Sequence, residues 1–279
     1  MPQLNQLRSL LFAPGSDERK LVKALGSDAD AVIADLEDAV APGEKDAARE
    51  LTIRVLAETE TRAARLVRVN GIDTPHALDD LAAVAELGLD AIVVPKATPE
   101  AIAALGDDGP PLIAIVETAA GLLQASELAA APRVAALFLG AVDLGLELGF
   151  EPRADGLELL HARSTLVLAS AAAGLRGPFD AVYLAIRDED GLEAEARLAR
   201  SLGFRGKPCI HPAQVDVVNR VFTPDAEEIE RARAVVDAYD AAVAAGRGAI
   251  ALEGQMIDVP VVERARGILA QAERREHGH

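Results

Sequence analysis

The feature that most constrains the fold is an alternation of short apolar runs with longer segments rich in Ala, Leu, Glu and Arg. Each run is apolar at successive positions and rich in β-branched residues, which is typical of parallel strands buried on both faces. The runs are Leu10–Phe12, Ala31–Ala34, Leu66–Val69, Ala91–Val94, Leu112–Val116, Ala136–Leu139, Ala181–Leu184 and Pro208–Ile210. Eight such runs separated by helical segments predict an α/β protein with a (β/α)₈ TIM barrel. The alternative is an open doubly wound sheet, although no G-x-G-x-x-G follows the first run.

The pattern changes after Phe222. Thr223-Pro224-Asp225 has the composition of a helix start, residues 226–245 are charged and amphipathic, and residues 261–274 are again helical. Residues 252–260 between them are expected to be irregular. We therefore expect two domains, a barrel over residues 1–222 and a C-terminal helical extension over residues 223–279. This extension is too long to be a frayed end, and we expect it to pack on the barrel or, preferably, on a neighbouring subunit.

The charge balance limits the possible partners. The chain has 45 acidic against 28 basic side chains and a formal net charge of −17, which disfavours nucleic acid as a partner. A local basic pocket can still bind a small anion. The single Cys209 excludes a disulfide framework and a Cys-based zinc site. No apolar stretch reaches about 18 residues, and residues 1–8 lack a signal-peptide layout, so we expect a soluble, cytoplasmic protein without a membrane partner.

Ionisable residues stand at the ends of most runs. In a barrel, the residues at the carboxyl ends of the strands form the functional site. The candidates are Asp35, Glu37, Asp38, Arg68, Lys96, Glu117, Asp143 and His211. Glu117 and Asp143 form the best metal pair, because carboxylates without nearby His or Cys suit Mg²⁺. The alternative is that each carboxylate pairs with Arg68 or Lys96 as a structural ion pair.

The remaining candidates have supporting roles. Asp35, Glu37, Asp38 and Lys96 are interpreted as residues that orient or neutralise the metal and substrate groups. Arg68 can clamp a substrate carboxylate or an enolate oxygen, and it can also neutralise Glu37. For His211 we favour a hydrogen-bonded residue that orders its turn over a general base.

Seven motifs in order resemble the citrate lyase β-subunit branch of the HpcH/HpaI aldolase family. The resemblance runs from residue 8 to about residue 274. The motifs are Arg8–Gly15, Asp35–Val40, Arg68–Gly71, Pro95-Lys96, Ile115–Ala119, Gly140–Leu144 and Ile210–Gln214.

This resemblance implies a (β/α)₈ barrel that binds Mg²⁺ through Glu117 and Asp143. Family members cleave or form a carbon–carbon bond in 3-hydroxyacyl thioesters carried on coenzyme A or an acyl carrier protein. Arg68 matches the arginine that contacts substrate. The run Gly254–Asp258 is similar to a segment of malyl-CoA and citramalyl-CoA lyases, in which an aspartate at the position of Asp258 reaches a neighbouring subunit's site as acid/base. It also implies a homotrimer or higher homo-oligomer.

Three functions remain in competition. The first is a Mg²⁺-dependent lyase that splits malyl-CoA, citramalyl-CoA or a related thioester into acetyl-CoA and a small 2-keto acid. The second is the citryl-thioester lyase β subunit of a citrate lyase complex that acts on an acyl carrier protein. The third is a catalytically silent ligand-binding barrel. Val142 and Glu147 depart from the residue types that relatives often carry, which affects the expected choice of substrate.

Overall fold

The computed structural model of the chain describes residues 4–276. Residues up to Phe222 form one compact unit, and residues from Thr223 onward form a second. Among the described residues, no helix combines the length and the apolarity needed to cross a membrane.

A curled parallel sheet of seven strands forms the centre of the first unit. Its strands are β1 Ser9–Pro14, β2 Ala31–Asp35, β3 Ala64–Arg68, β4 Ala91–Val94, β5 Leu112–Val116, β6 Val134–Leu139 and β7 Lys207–Cys209. Their order across the sheet is β6-β5-β4-β3-β2-β1-β7. Six consecutive strands therefore wind in one direction, whereas a doubly wound sheet reverses its direction near the middle. The strand order favours the barrel type of architecture over the alternative.

The seventh apolar run, Ala181–Leu184, does not form the predicted strand. Only Phe179 pairs with its neighbours, through isolated parallel bridges to Phe138 of β6 and to Gly206, which precedes β7. Side chains take the carbonyl groups that a ladder would use. Lys207 Nζ donates to Ala181 O at 2.7 Å, and Gln214 Nε2 donates to Tyr183 O at 2.8 Å. The carbonyl oxygens of Ala181 and Tyr183 therefore accept hydrogen bonds from side chains and not from a neighbouring strand.

Helices connect the strands and cover the outside of the sheet. Their bounds are α1 Glu18–Leu25, α2 Lys45–Glu58, α3 Ala77–Val84, α4 Pro99–Ala103, α5 Ala119–Leu123, α6 Ala125–Ala130, α7 Ala141–Leu148, α8 Leu160–Ala172, α9 Glu189–Leu202 and α10 Val215–Val221. Side-chain caps fix several helix starts, among them that of α1, where Asp17 Oδ1 accepts a hydrogen bond from Lys20 N at 3.0 Å.

Two hydrophobic cores lie on the two faces of the sheet. The inner core contains residues from the strands and their flanking segments, including Leu10, Ile33, Leu66 and Phe138, and no helical residue. The outer core lies between the sheet and the helices. Because successive residues of a strand point to opposite faces, each strand contributes to both cores.

A buried charge network joins α8 and α9 to the sheet. Asp180 accepts hydrogen bonds from Arg163 Nε and from Lys207 Nζ, both at 2.8 Å, and all three side chains are fully buried. Glu195 of α9 lies 2.5 Å from Lys207 Nζ. A buried charge is tolerated when it is paired and hydrogen-bonded, and this network supplies both conditions.

The second unit comprises two long helices and a hairpin. They are α11 Ala226–Ala244, β8 Ile250–Leu252, β9 Gln255–Ile257 and α12 Val259–Glu276. Asp225 and Glu228 cap the start of α11 in a reciprocal capping box, as the sequence indicated. The expectation of an irregular stretch over residues 252–260 was wrong. Glu253 and Gly254 both have positive φ, as in a tight hairpin turn.

Candidate functional site

The carboxyl ends of the strands carry most of the side chains singled out in the sequence. Asp35 ends β2 and Arg68 ends β3, and the two residues are partners in the ladder. Glu117 directly follows β5, and Asp143 lies in the first turn of α7, after β6. Since parallel strands place their carboxyl ends at one edge, these residues gather at one mouth of the curled sheet.

Arg68 is the centre of the ion pairs at this mouth. Its Nε and Nη2 donate to the two carboxylate oxygens of Asp35, both at 2.7 Å. Its Nη1 lies 3.1 Å from Glu37 Oε2 and 3.4 Å from Asp38 Oδ2. Burial opposes the positive charge, but the bonds to Asp35 and the nearby carboxylates outweigh it and raise the pKa of Arg68. The guanidinium is therefore permanently charged.

Asp35 is an anchor whose oxygens are fully used. Besides Arg68, its Oδ1 accepts a hydrogen bond from Glu37 N at 2.9 Å, and its Oδ2 accepts one from Ala39 N at 3.0 Å. The same carboxylate thus holds both the arginine and the acidic loop.

Glu37 is buried and lacks a hydrogen bond at one oxygen. Within the described part of the chain, its Oε2 has no hydrogen-bond partner. Burial raises the pKa of Glu37 to about 7; Asp38 and Asp35 add to the rise, and Arg68 opposes it. Lys45 Nζ donates to the backbone oxygens of Leu36 and Glu37 at 2.8 and 2.7 Å. Lys45 fixes the backbone beneath Glu37, a role that no motif in the sequence indicated.

Lys96 holds Glu117 through its backbone. Lys96 N donates to Glu117 Oε1 at 2.7 Å. Lys96 adopts a φ of 46°, in the left-handed region that side chains rarely occupy. The side chain of Lys96 is half exposed, and its Nζ lies 3.9 Å from Glu37 Oε1. The main chain of Lys96 therefore orients Glu117, and its ammonium group is the electrostatic neighbour of Glu37.

Glu117 lacks the counter-ion that the ion-pair alternative required. It makes no ion pair with Lys96 or Arg68 within residues 4–276, and it is 95% buried, with a relative exposure of 5%. Burial raises its pKa to about 7. The N–H of Lys96 opposes this rise, and the charges of Glu37 and Asp143 reinforce it. A buried carboxylate that lacks a cation is typical of a ligand site.

The donor set of this site fits a magnesium ion. Five carboxylates, those of Asp35, Glu37, Asp38, Glu117 and Asp143, face two cations, Arg68 and Lys96, so the site has an excess of three negative charges when all five carboxylates are ionised. No group of three or more His, Cys, Asp or Glu side chains that could hold a metal occurs in the described ranges. Mg²⁺ uses one or two protein carboxylates and completes its shell with water and substrate oxygens.

Gly140 provides the space that Glu117 occupies. A Cβ at Gly140 would lie 2.6 Å from Glu117 Oε2, well inside contact distance, and closer still to Glu117 Cβ. Gly140 also caps α7 and donates its N–H to Val116 O at 3.0 Å. Only glycine allows the ends of β5 and β6 to approach so closely.

We expect Gly140→Ala to displace Glu117. Because a shift of about 1 Å in a reacting group costs roughly 100-fold in rate, activity should fall by about that factor. Stability should fall by about 1–3 kcal/mol from overpacking. Steady-state assays and thermal unfolding measure these two effects, and calorimetric titration with Mg²⁺ measures the effect on metal affinity. The control is Gly26→Ala, whose Cβ meets only ordinary contacts, the nearest at 3.7 Å. Unchanged Mg²⁺ affinity in Gly140→Ala would show that Glu117 does not depend on this space.

His211 has the structural role that we favoured. Its Nδ1 accepts a hydrogen bond from Ala213 N at 3.1 Å, so His211 caps the start of the turn Pro212–Gln214. Gln214 Oε1 accepts the N–H groups of Ile210 and His211. In the neutral ring the proton therefore resides on Nε2, which makes that nitrogen a donor.

Asp258 belongs to the second unit. Its Oδ1 accepts a hydrogen bond from Val261 N at 3.4 Å, and its carbonyl accepts one from Val262 N at 3.0 Å. These contacts place Asp258 at the start of α12, and its side chain is partly exposed.

Comparison with known families decides the relationship. A model of the family HpcH/HpaI aldolase/citrate lyase matches residues 8–212, which is more than half of the chain. The chain belongs to the HpcH/HpaI aldolase/citrate lyase family. A second model, described as a C–C bond lyase of the TIM-barrel fold, matches residues 165–274. The resemblance inferred from the seven motifs is therefore confirmed, and the chain is an enzyme of a lyase family.

Two kinds of curated relative cover nearly the whole chain. A (3S)-malyl-CoA thioesterase of Cereibacter sphaeroides is 45% identical over 276 residues, which are 97% of this chain and 96% of that protein. Citrate lyase subunit beta of Escherichia coli is 36% identical over 284 residues, which are 95% of this chain and 93% of that protein.

Solved structures of this family contain magnesium and small acids. The protein CitE of Mycobacterium tuberculosis, in complex with magnesium, acetoacetate and coenzyme A, has a TM-score of 0.84 and 38% identity, covering 97% of this chain and 100% of that one. A citrate lyase β subunit from the same organism, complexed with oxaloacetate and magnesium, has a TM-score of 0.71 and 37% identity, covering 79% of this chain and 99% of that one.

Proposed function

We propose that this protein is a Mg²⁺-dependent carbon–carbon lyase acting on a 3-hydroxyacyl-CoA thioester such as malyl-CoA or citramalyl-CoA. The products are acetyl-CoA and a small 2-keto acid. The observation that carries this proposal is the buried Glu117 beside the half-buried Asp143, two carboxylates that form no ion pair within residues 4–276, next to the guanidinium of Arg68. Relatives with magnesium, coenzyme A and oxaloacetate support the choice of metal and substrate class.

Glu117 and Asp143 would hold the metal. When bound, Mg²⁺ would polarise the oxygens of the 2-keto acid half and neutralise the charge that gathers there. Backbone N–H groups in the first turn of α7, from Ala141 to Asp143, contribute to holding the acid's carboxylate. Asp35, Glu37, Asp38 and Lys96 keep Arg68 and Glu117 in place.

Arg68 and Asp258 act on the thioester half. In cleavage, the 3-hydroxyl releases its proton to solvent water and becomes the carbonyl of the 2-keto acid, while the electrons of the breaking carbon–carbon bond pass to the thioester as an enolate. A proton that the Asp258 carboxylate takes up from solvent balances the one that it then delivers to the enolate carbon. Arg68 stabilises the enolate oxygen by hydrogen bonding with a permanent positive charge. Asp258 protonates the enolate carbon to give acetyl-CoA, and removes that proton in condensation.

We infer that Asp258 comes from a neighbouring copy in a homotrimer or higher homo-oligomer. The similarity of Gly254–Asp258 to the corresponding segment of malyl-CoA lyases supports this assignment. Large apolar side chains on the first unit also need cover: Leu123 and Leu146 are 87% and 85% exposed. In the second unit, Met256 is 70% exposed. Large exposed apolar side chains of this kind are enriched where subunits meet.

We expect Asp258→Asn to abolish turnover while acyl-thioester binding stays mostly intact. Mixing it with Arg68→Ala subunits should restore about a quarter of the activity, because random assembly around a head-to-tail interface gives one site in four both intact groups. Native mass spectrometry confirms that mixed oligomers form. The control is Asp240→Asn, which removes another aspartate of the second unit, one that pairs with Arg266 at 2.8 Å. No restoration in confirmed mixed oligomers would contradict a shared site.

Thioester hydrolysis is the second candidate. It is favoured by the 45% identity to (3S)-malyl-CoA thioesterases, which exceeds the 36% identity to citrate lyase β. The same metal and arginine could polarise the thioester carbonyl toward water. An acyl carrier protein in place of coenzyme A, as in a citrate lyase complex, is the third possibility.

A substrate panel distinguishes these functions. The purified protein is incubated with malyl-CoA, citramalyl-CoA or citryl-CoA. Each reaction is run without EDTA, with EDTA, and with Mg²⁺ added back after EDTA. A lyase gives equal amounts of acetyl-CoA and 2-keto acid without free thiol, and EDTA stops the reaction. Free coenzyme A and the hydroxy acid instead indicate hydrolysis. No reaction on any thioester, together with no Mg²⁺ binding, would support the catalytically silent barrel.

We also propose that the curled sheet closes into an eight-stranded barrel through the segment around Phe179. Phe179 N donates to Leu137 O at 2.9 Å, and Asp180 N donates to Gly206 O at 3.0 Å. These bonds link the segment to both edges of the sheet. A closed sheet would leave the site one open mouth.

A further inference from the structure

The ring of Phe12 lies against the guanidinium of Arg68. The Cζ of Arg68 is 5.0 Å from the ring centroid, within the range of a cation–π interaction. Phe12 stands in the middle of β1 and packs on the inner core, yet it is only partly buried, whereas Leu10 on the same face of the strand is fully buried. Phe12 therefore lies where the packed interior meets the open mouth of the site.

The edges of the guanidinium are held unequally. Asp35 fixes Nε and Nη2 in one plane with two bonds of 2.7 Å. Nη1 has Glu37 Oε2 at 3.1 Å and Asp38 Oδ2 at 3.4 Å, but Glu37 Oε2 forms no hydrogen bond within residues 4–276. The two carboxylates attract Nη1 without fixing its direction. A contact on the face of the group is needed to stop it from tilting about the Asp35 edge.

We propose that Phe12 is a positioning residue that sets the plane of Arg68, so that Nη1 is directed at the thioester oxygen of the substrate. This inference rests on the proposed function of Arg68 as the group that stabilises the enolate oxygen. The aromatic face attracts the cation electrostatically and supports it over its flat side, whereas an aliphatic side chain supplies only dispersion contacts.

Phe138 holds the ring of Phe12. The two ring centroids are 6.2 Å apart with planes inclined by 51°, a tilted contact of the kind that aromatic pairs favour. Phe138 is almost fully buried in β6, two residues before Gly140. Phe12 thus has a rigid neighbour in the core, and its position does not depend on substrate.

The test compares Phe12→Leu with Phe12→Tyr. Leu keeps an apolar side chain but removes the aromatic face, and we expect kcat to fall about tenfold while the Mg²⁺ dissociation constant changes by less than about twofold. Tyr restores the ring and should return kcat to within about threefold of wild type. Adding Phe12→Leu to Arg68→Lys should cause little further loss, because the effect of Phe12 passes through the guanidinium.

The chain offers a matched control at the other end of the sheet. Arg176 Cζ lies 4.6 Å from the ring centroid of Phe179, and Arg176 Nη1 donates to Leu4 O, ahead of β1. Phe179→Leu removes an equivalent cation–π contact and should lower the melting temperature without changing kcat. Equal losses of kcat in Phe12→Leu and Phe179→Leu would overturn the positioning role, because general loosening of the core would then explain both.

A spectroscopic readout separates this inference from the proposed function. In ¹⁵N spectra, the Nε–H resonance of Arg68 is identified as the one that disappears in Arg68→Lys. In Phe12→Leu we expect this resonance to shift and its hydrogen exchange to become at least tenfold faster. If that resonance is unchanged in Phe12→Leu, the positioning role is wrong whatever the kinetics show. If it responds but wild type cleaves no thioester, the geometry stands and the lyase proposal fails.

Discussion

Glu117→Gln should bind Mg²⁺ at least 100-fold more weakly than wild type and lose about 1,000-fold in kcat. Gln keeps the size of the side chain and can still accept the bond from Lys96 N, so the fold should persist. What disappears is the charge that the site concentrates near Asp143. Asp143→Asn should weaken metal binding and activity together for the same reason.

Calorimetric titration with Mg²⁺ and single-turnover assays measure this prediction. The matched control is Asp38→Asn, which removes one negative charge from the same mouth without removing a proposed ligand. Asp38 is 65% exposed in its side chain, so its charge is screened by solvent, and we expect less than about a threefold change in Mg²⁺ affinity. If Glu117→Gln and Asp38→Asn weaken binding equally, the site attracts the cation only by its overall charge.

Arg68→Lys should lower kcat by about 100- to 1,000-fold, the usual effect of removing one donor that stabilises an oxyanion. Lysine keeps the positive charge but cannot bind both oxygens of Asp35 in one plane while directing a third donor outward. The loss should appear mainly in kcat, because the enolate oxygen carries its charge only as the carbon–carbon bond breaks.

Arg8→Lys is the matched control for Arg68→Lys. Arg8 makes the same two-bond contact with Asp30, with Nε and Nη2 both at 2.7 Å, at the amino ends of β1 and β2. Both substitutions should cost similar stability in chemical denaturation, but only Arg68→Lys should affect kcat. A rise in Km alone, with kcat intact, would instead assign Arg68 to ground-state recognition of the substrate.

The positions of the charged residues were predictable because they follow from strand ends. Once the runs ending near Asp35, Arg68 and Glu117 are recognised as parallel strands, one mouth must collect their side chains. Capping signals at Asp17 and Asp225 are equally local, since each depends on three or four residues. The carboxylates proposed as metal ligands and those proposed to support them could therefore be placed at this mouth before any distance was known.

The features that escaped prediction depend on partners distant in sequence. The run Ala181–Leu184 has the composition of a strand, but its carbonyls bond to Lys207 and Gln214, about 26 and 31 residues away. Phe12 meets Arg68 only because β1 and β3 curl toward each other. The strained φ of Lys96 is stabilised by its bond to Glu117, and no composition rule identifies such a residue.

The filled interior of the sheet limits how a substrate can enter. Below Phe12, side chains such as Ile33, Leu66 and Phe138 are buried and pack together in the inner core formed by the described residues. In the proposed reaction, the acyl group of the thioester would rest on this packed surface, and the long carrier arm would extend outward into solvent. The surface that binds the acyl group would then be independent of the carrier. The same surface could bind an acyl group delivered on coenzyme A or on a carrier protein, and only the loops at the rim would need to differ.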